Sequence, residues 1–249
     1  MGMRHVKVFP GKDALVVGTA EWILSACGEA IAGRGVCSIA LSGGSTPRAL
    51  YHLLASDPWR KRFDWSRIEL FQVDERAVPV DHPDSNFGMI ERELLRSVQI
   101  PKNHVHRVHP ELGAQAAAEE YESQLRKSFV VGGVPQFDVL LLGIGEDGHT
   151  ASLFPGTEAL HETSRLVLGY TVEKLNAPRI TLTFPVINNA RKVLFLVSGE
   201  NKAEILREVL QGDSPELRYP AAMVDPGSGL LYWHLDSDAA SMIPVAVSE

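Results

Sequence analysis

Short unbroken apolar runs alternate along the chain with longer stretches in which apolar residues recur at helical spacing. VCSIAL (36–41), IELFQV (68–73), DVLLLGI (138–144), ITLTF (180–184) and VLFLV (193–197) have the length and β-branched content of strands. Helical periodicity covers about 13–32, 47–55, 85–97, 114–128 and 201–210. Strands without polar alternation are buried on both sides, so the pattern predicts an α/β fold: a mainly parallel sheet with helices on both faces. No repeat or low-complexity linker interrupts it, and residues 1–249 are read as a single domain. The tail after Leu235 is expected to fray or lie along the surface.

Polar, glycine-rich segments follow four of the runs. SGGSTP (42–47) follows the first, DERAVPVDHPDSN (74–86) the second, GEDGHTASLFPG (145–156) the third and SGENK (198–202) the last. In an open α/β sheet the carboxyl ends of the strands form the ligand-binding edge, so these loops are expected to converge.

Each loop carries a chemical possibility and a plainer alternative. Ser42, Gly43, Gly44, Ser45 and Thr46 read as a turn entering a helix, where free N–H groups and hydroxyls can hold an anion; Pro47 suits the first helical position. The motif is neither a Walker A loop nor a GxSxG nucleophile elbow, and a capped helix start without a ligand is the less favoured alternative. GIGEDG (143–148) matches GxGxxG, but Glu146 and Asp147 would repel a pyrophosphate and Pro155-Gly156 stops the helix a dinucleotide site needs. In the same segment Asp147 stands two positions before His149, a spacing that lets a carboxylate orient an imidazole acting as general base. Spacing alone also allows a loop histidine bonded to backbone. Asp74 and Arg76 could orient a polyol and hold an anionic oxygen, or form a surface ion pair. Lys202 falls in the first turn of a helix, against the dipole, a conflict an anionic ligand would relieve; the alternative is a solvated lysine.

Composition narrows the classes. The 249 residues are 45% hydrophobic and 22% charged, as expected of a folded globular chain. A net charge of −7 argues against a nucleic-acid partner while leaving room for a local basic cluster. No signal peptide or apolar run of membrane-spanning length is visible, so neither membrane partner nor export is expected and the location is read as cytoplasmic. Cys27 and Cys37 form no CxxC pair and are expected to be buried thiols. Of His104, His106 and His109, the first two would share one strand face, a spacing compatible with metal ligation, but no carboxylate or cysteine accompanies the three and the segment is not at a strand's carboxyl end, so no metal is expected.

Taken together, LSGGSTPRALY, VDERAVPVDHPDSNFGM, GIGEDGHTASLFPG and SGENKA, in this order, resemble the 6-phosphogluconolactonase family. The resemblance implies a Rossmann-like fold, hydrolysis of 6-phosphoglucono-δ-lactone to 6-phosphogluconate in the oxidative pentose phosphate pathway, and no metal or organic cofactor. The alternative is a glucosamine-6-phosphate deaminase/isomerase. There the second motif reads DEY in place of Asp74-Glu75-Arg76, and the histidine motif continues as in DGHIAFNEP instead of His149-Thr150-Ala151-Ser152-Leu153. A non-catalytic sugar-phosphate sensor ranks last, since no helix-turn-helix or basic face accompanies the domain. On the lactonase reading, the SGGSTP loop, Arg179 and Lys202 grip the phosphate, and His149, oriented by Asp147, activates water. Arg76 or loop N–H groups face the oxyanion, and Asp74 bonds substrate hydroxyls. The role of Arg48 stays open, as does the oligomeric state, with a monomer as the default.

Overall fold

The computed structural model describes residues 4–129, 133–212 and 219–243. In chain order its elements are β1 (Arg4–Phe9), α1 (Lys12–Arg34), β2 (Cys37–Leu41), α2 (Ser45–Ala55), β3 (Ile68–Gln72), β4 (Asp74–Arg76), α3 (Asn86–Ile90), β5 (Val105–His106), α4 (Ala114–Ser128), β6 (Val139–Leu142), β7 (Val167–Val172), β8 (Ala177–Leu182), α5 (Phe184–Ile187), β9 (Lys192–Val197), α6 (Ala203–Gln211) and β10 (Leu230–Asp236). Seven strands pair in parallel in the order β1-β10-β9-β6-β2-β3-β5.

Side chains alternate across this sheet into two cores. Ile39, Leu41, Leu70, Val139 and Leu141 pack with α1, α2 and α3 on one face. Ala40, Phe71, Leu140, Leu142 and Phe195 pack with α4, α5 and α6 on the other. Both faces are thus covered, as the unbroken apolar runs require. In α2 the buried Leu50 and Leu54 lie four apart, on one helical face. Each such leucine contributes about 1.5–3 kcal/mol on leaving water. By length and composition α1 would suffice to cross a membrane, but Leu15, Thr19, Ile23, Ala26 and Ala30 are buried inside the protein. Cys27 and Cys37 are buried free thiols with Sγ atoms 3.1 Å apart; their mutual hydrogen bond, then burial, pushes the Cys37 thiol up, away from the reactive thiolate.

Several sequence expectations need correction. ITLTF does not join the parallel sheet: residues up to Leu182 belong to β8, which lies between β4 and β7 in a separate three-stranded antiparallel sheet. Length and apolarity do not distinguish the two settings. Asp74–Arg76, read as loop, is the short strand β4. The helical stretch 85–97 divides into α3 and a π-helical turn at Glu91–Leu95. The helix after SGGSTP starts at Ser45, so Pro47 is its third residue, still in the first turn where a missing N–H costs no helical bond. Strands β1, β5, β7 and β10 were not anticipated. The segment after Leu235 does not fray as far as Ile243. Asp236 is buried, its carboxylate accepts from Ser198 Oγ and from the N–H groups of Gly199 and Ala239, and Ala239 and Ala240 are buried. The rest of that tail, 244–249, lies outside the described residues.

His234 on β10 supplies a test of the packing. Its Nδ1 is 2.9 Å from Thr19 Oγ1 on α1, and Trp22 and Phe9 meet its ring edge-on. Burial, aided by the charge of Lys7, pulls the imidazole down to about 4. The folded state holds it neutral while the unfolded chain protonates near pH 6.5, so its contribution is complete above about pH 6.5 and is lost as pH falls towards 4. Denaturant unfolding across that window should show wild type losing up to about 1.4 kcal/mol per pH unit through this group, with His234→Gln falling less steeply.

Candidate active site

The chain runs from β2 outward through β3 to β5 in one direction and from β6 through β9 to β10 in the other. Strand order therefore reverses between β2 and β6, and a cleft of about 240 Å³ opens at the carboxyl edge there. Its lining comes from all four loops: Ser42 to Pro47, Asp74 with Arg76 and Asn86, Gly143 to Gly145 with His149 and Ala151, and Ser198 with Lys202.

One side suits an anion. Gly44 precedes α2, whose first turn lacks a side-chain cap and presents Ser45 and Thr46 to the cleft. Ser42 Oγ is buried and has no hydrogen-bond partner among the described residues. Gly43 is needed for space: a Cβ there would lie 1.9 Å from Asn86 Oδ1. Lys202 ends the 3-10 turn before α6 and, among the described residues, has no acidic group within ion-pair distance. Arg179 does not line the cleft; it sits opposite Arg76 across the β4–β8 pair. Burial, then the neighbouring Arg76 charge, holds its guanidinium below the usual range, a pairing of cations that an anion would relieve.

On another side His149 stacks on Phe154 at 4.3 Å, and its Nδ1 is 2.6 Å from Asp147 Oδ1. Asp147 stands behind the imidazole, outside the cleft lining. Burial pushes the Asp147 carboxyl up, but the hydrogen bond and charge of His149, with Lys174 further away, leave it below the usual carboxylate value. With Nδ1 engaged, Nε2 is the ring nitrogen left to exchange a proton. Gly145 makes this turn possible, since a Cβ would lie 2.1 Å from His149 Nδ1 and 2.8 Å from Asp147 Oδ1. No helix follows the GxGxxG match; a turn leads to a 3-10 segment at Glu158–His161.

A buried acidic floor joins the two sides. Asp74 accepts from Ser152 Oγ at 2.6 Å and Asn86 Nδ2 at 3.3 Å, and Tyr170 Oη donates to the Ser152 carbonyl. Glu75 is fully buried; burial leaves its carboxyl raised although Phe87 N, Asn86 N, Gln72 Nε2 and Arg76 N all donate to it. Glu75 thereby ties the loop from Arg76 to Phe87 to the end of β3, and Arg76 Nη1 closes it by donating to the Asp84 carbonyl.

The sequence reading missed Glu75, Asn86, Ser152 and Asp236 as organisers. The only cue was the polar cluster HPDSN before an apolar helix, where Ser85 caps by accepting from Gly88 N. Arg48 stands outside the cleft and pairs with Glu93 at 2.7 Å. His106 stacks on Phe71 at 4.3 Å, and His109 Nδ1 is 3.3 Å from Glu111. Among the described residues no group of three His, Cys, Asp or Glu is placed to hold a metal.

Fold and cleft define a mainly parallel α/β protein in which an uncapped helix start and a histidine backed by an aspartate face one space. A family profile described as "Glucosamine-6-phosphate isomerases/6-phosphogluconolactonase" matches residues 10–233. A 6-phosphogluconolactonase of Nostoc sp. is 42% identical over 97% of this chain and 99% of its own length. That of Homo sapiens is 38% identical over 96% of this chain and 94% of its own. The solved structure of the 6-phosphogluconolactonase from Trypanosoma cruzi superposes with a TM-score of 0.87 at 28% identity, covering 98% of each chain. The chain belongs to the glucosamine-6-phosphate isomerase/6-phosphogluconolactonase family.

The role given to Gly145 can be checked without an assay. A short imidazole–carboxylate bond gives a downfield proton resonance, and Gly145→Ala should abolish it while melting within a few degrees of wild type. Retention of the resonance would mean that the turn tolerates a Cβ.

Proposed function

We infer that the protein hydrolyses 6-phosphoglucono-δ-lactone to 6-phosphogluconate. The observation that carries this is His149, bonded at 2.6 Å to Asp147 behind it and facing the same cleft as the uncapped start of α2 and Lys202, which has no acidic partner among the described residues. The reading is supported by the names of the relatives, which span nearly the whole chain.

The phosphate binds between Ser42, Gly43, Gly44, Ser45, Thr46 and Lys202, with Arg179 adding charge from β8. Asp74 bonds a substrate hydroxyl. The lactone carbonyl then stands beside His149. Water loses a proton to Nε2 as its oxygen bonds to the carbonyl carbon, and Arg76 or loop N–H groups hold the resulting oxyanion. The bond from that carbon to the ring oxygen breaks, and the imidazolium returns the proton to the departing hydroxyl. Asp147 fixes the tautomer and stabilises the imidazolium. A single α/β domain over 1–249, acting as a cytoplasmic monomer without metal or organic cofactor, completes the reading.

Purified protein given freshly made phosphorylated lactone should release acid, and given glucosamine 6-phosphate should release no ammonia; the reverse result would assign the deaminase reaction. His149→Asn should lower kcat by about 10² to 10⁴ with the fold intact. A variant within a fewfold of wild type would remove His149 from the mechanism.

Lys202→Ala should raise KM for the phosphorylated lactone by about tenfold or more, as expected for a charge-assisted contact of about 1.5–3 kcal/mol. Turnover of unphosphorylated gluconolactone should change little, and inorganic phosphate should compete less well. Equal harm to both lactones would place the loss elsewhere than in phosphate binding.

A further inference from the structure

The Asp147 carboxylate serves two partners. Oδ1 takes His149 Nδ1 at 2.6 Å and its backbone N–H at 3.3 Å, while Oδ2 lies 3.7 Å from Lys174 Nζ. Lys174 comes from a distant part of the fold, the 3-10 turn Glu173–Leu175 at the tip of the β7–β8 hairpin, which closes through Asn176 in the left-handed region at φ 44°. Its strands pair over six residues, with Val167, Leu168, Ile180 and Leu182 buried at the base, and β8 also pairs with β4, which carries Asp74 and Arg76. The hairpin is thus anchored on the same small sheet as the floor of the cleft. Asp147 is the only acidic group within ion-pair distance of Lys174 among the described residues.

We infer that Lys174 is a positioning residue: from the hairpin tip it holds the Asp147 carboxylate behind His149 and offsets part of its charge at the imidazole. The inference rests on the lactonase reading above for its kinetic consequence, but not for its electrostatic one. A carboxylate alone makes a neighbouring imidazole more basic, and at neutral pH a base already protonated is idle. A cation on the far carboxylate oxygen counters that effect and also restrains the carboxylate's rotation. Other charged or titratable groups about the imidazole are Glu146 of its own turn, bonded to Asn201, Asp74 and Arg76 on β4, Arg179 on β8, Lys202 after β9, and Tyr219 against Gly148. Tyr170 is engaged with the Ser152 carbonyl. Among the described residues none of these forms an ion pair with Lys174, whose side chain is 74% exposed.

The test is an NMR titration of the His149 ring in Lys174→Gln and Lys174→Arg, with kcat/KM of the phosphorylated lactone followed over the same pH range. At low ionic strength Lys174→Gln should raise the His149 midpoint by about 0.2–0.7 pH unit, as expected for an exposed charge pair, and move the acid limb of kcat/KM by the same amount. Lys174→Arg should restore both. In about 1 M salt, where screening acts within about 3 Å, the difference between wild type and Lys174→Gln should shrink. An unmoved His149 midpoint at low salt overturns the inference. So does a loss confined to KM, which would make Lys174 a substrate contact. The titration needs no substrate, so it decides the charge placement even if lactone hydrolysis were not the reaction.

Discussion

The register between β2 and β6 is the constraint on which the rest depends, because the strand order reverses there and the cleft opens above it. Only two residue pairs, Ile39 with Val139 and Ala40 with Leu140, define that ladder. The chain reinforces it just outside the strand. Asp138 accepts from the backbone and hydroxyl of Ser38, Ser38 Oγ and carbonyl accept from Asp138 N, and Arg34 and Arg191 compensate the carboxylate. A slip of one residue would turn every apolar side chain of a strand to the opposite face. The buried aspartate, satisfied on each side, makes such a slip costly, since it would leave a charge desolvated and unpaired. Its position at the amino edge keeps this requirement away from the chemistry at the carboxyl edge.

Above that frame, two buried carboxylates on β4 do different work. Glu75 has five donors, the Ser85 hydroxyl among them, and no view of solvent, so it organises the loop that delivers Arg76 and Asn86. Asp74 keeps one side towards the cleft and is held from behind by Ser152 and Asn86. Adjacent strand residues point to opposite faces, which is how one DER triplet supplies both a structural and a site-facing acid.

Much of this was legible in the chain itself. Unbroken apolar runs gave the central strands, and polar glycine-rich segments after them gave the edge where ligands bind. The helix over 114–128 coincides with α4 because its period is regular and its boundaries are Gly113 and Ser128. The edge strands were less visible. In β1 the burial along RHVKVF follows no alternation and only Phe9 is buried, and β5 has two residues, too few for any period. ITLTF looked like its neighbours because a strand covered on both sides has the same composition in either sheet. Within the site, SGGSTP, Asp74, Arg76, His149 and Lys202 could be named from their loops. The supporting carboxylates could not, since their partners are backbone N–H groups that leave no mark on the sequence, and Lys174 lies 27 positions from the aspartate it meets.

The close fit of Asn86 over Gly43 carries an implication for how the chain can change. The Asn86 amide occupies the volume that a side chain at position 43 would take, and the same amide donates to Asp74. The two positions are therefore not independent heritable units. Enlarging residue 43 is tolerable only if residue 86 shrinks, and shrinking residue 86 removes a donor from Asp74. A drift path through either single substitution passes through a steric clash or a lost bond, and a path through both ends with an aspartate less well held. Gly43 and Asn86 should travel together through sequence space as an epistatic pair, locked by a contact that belongs to neither loop alone.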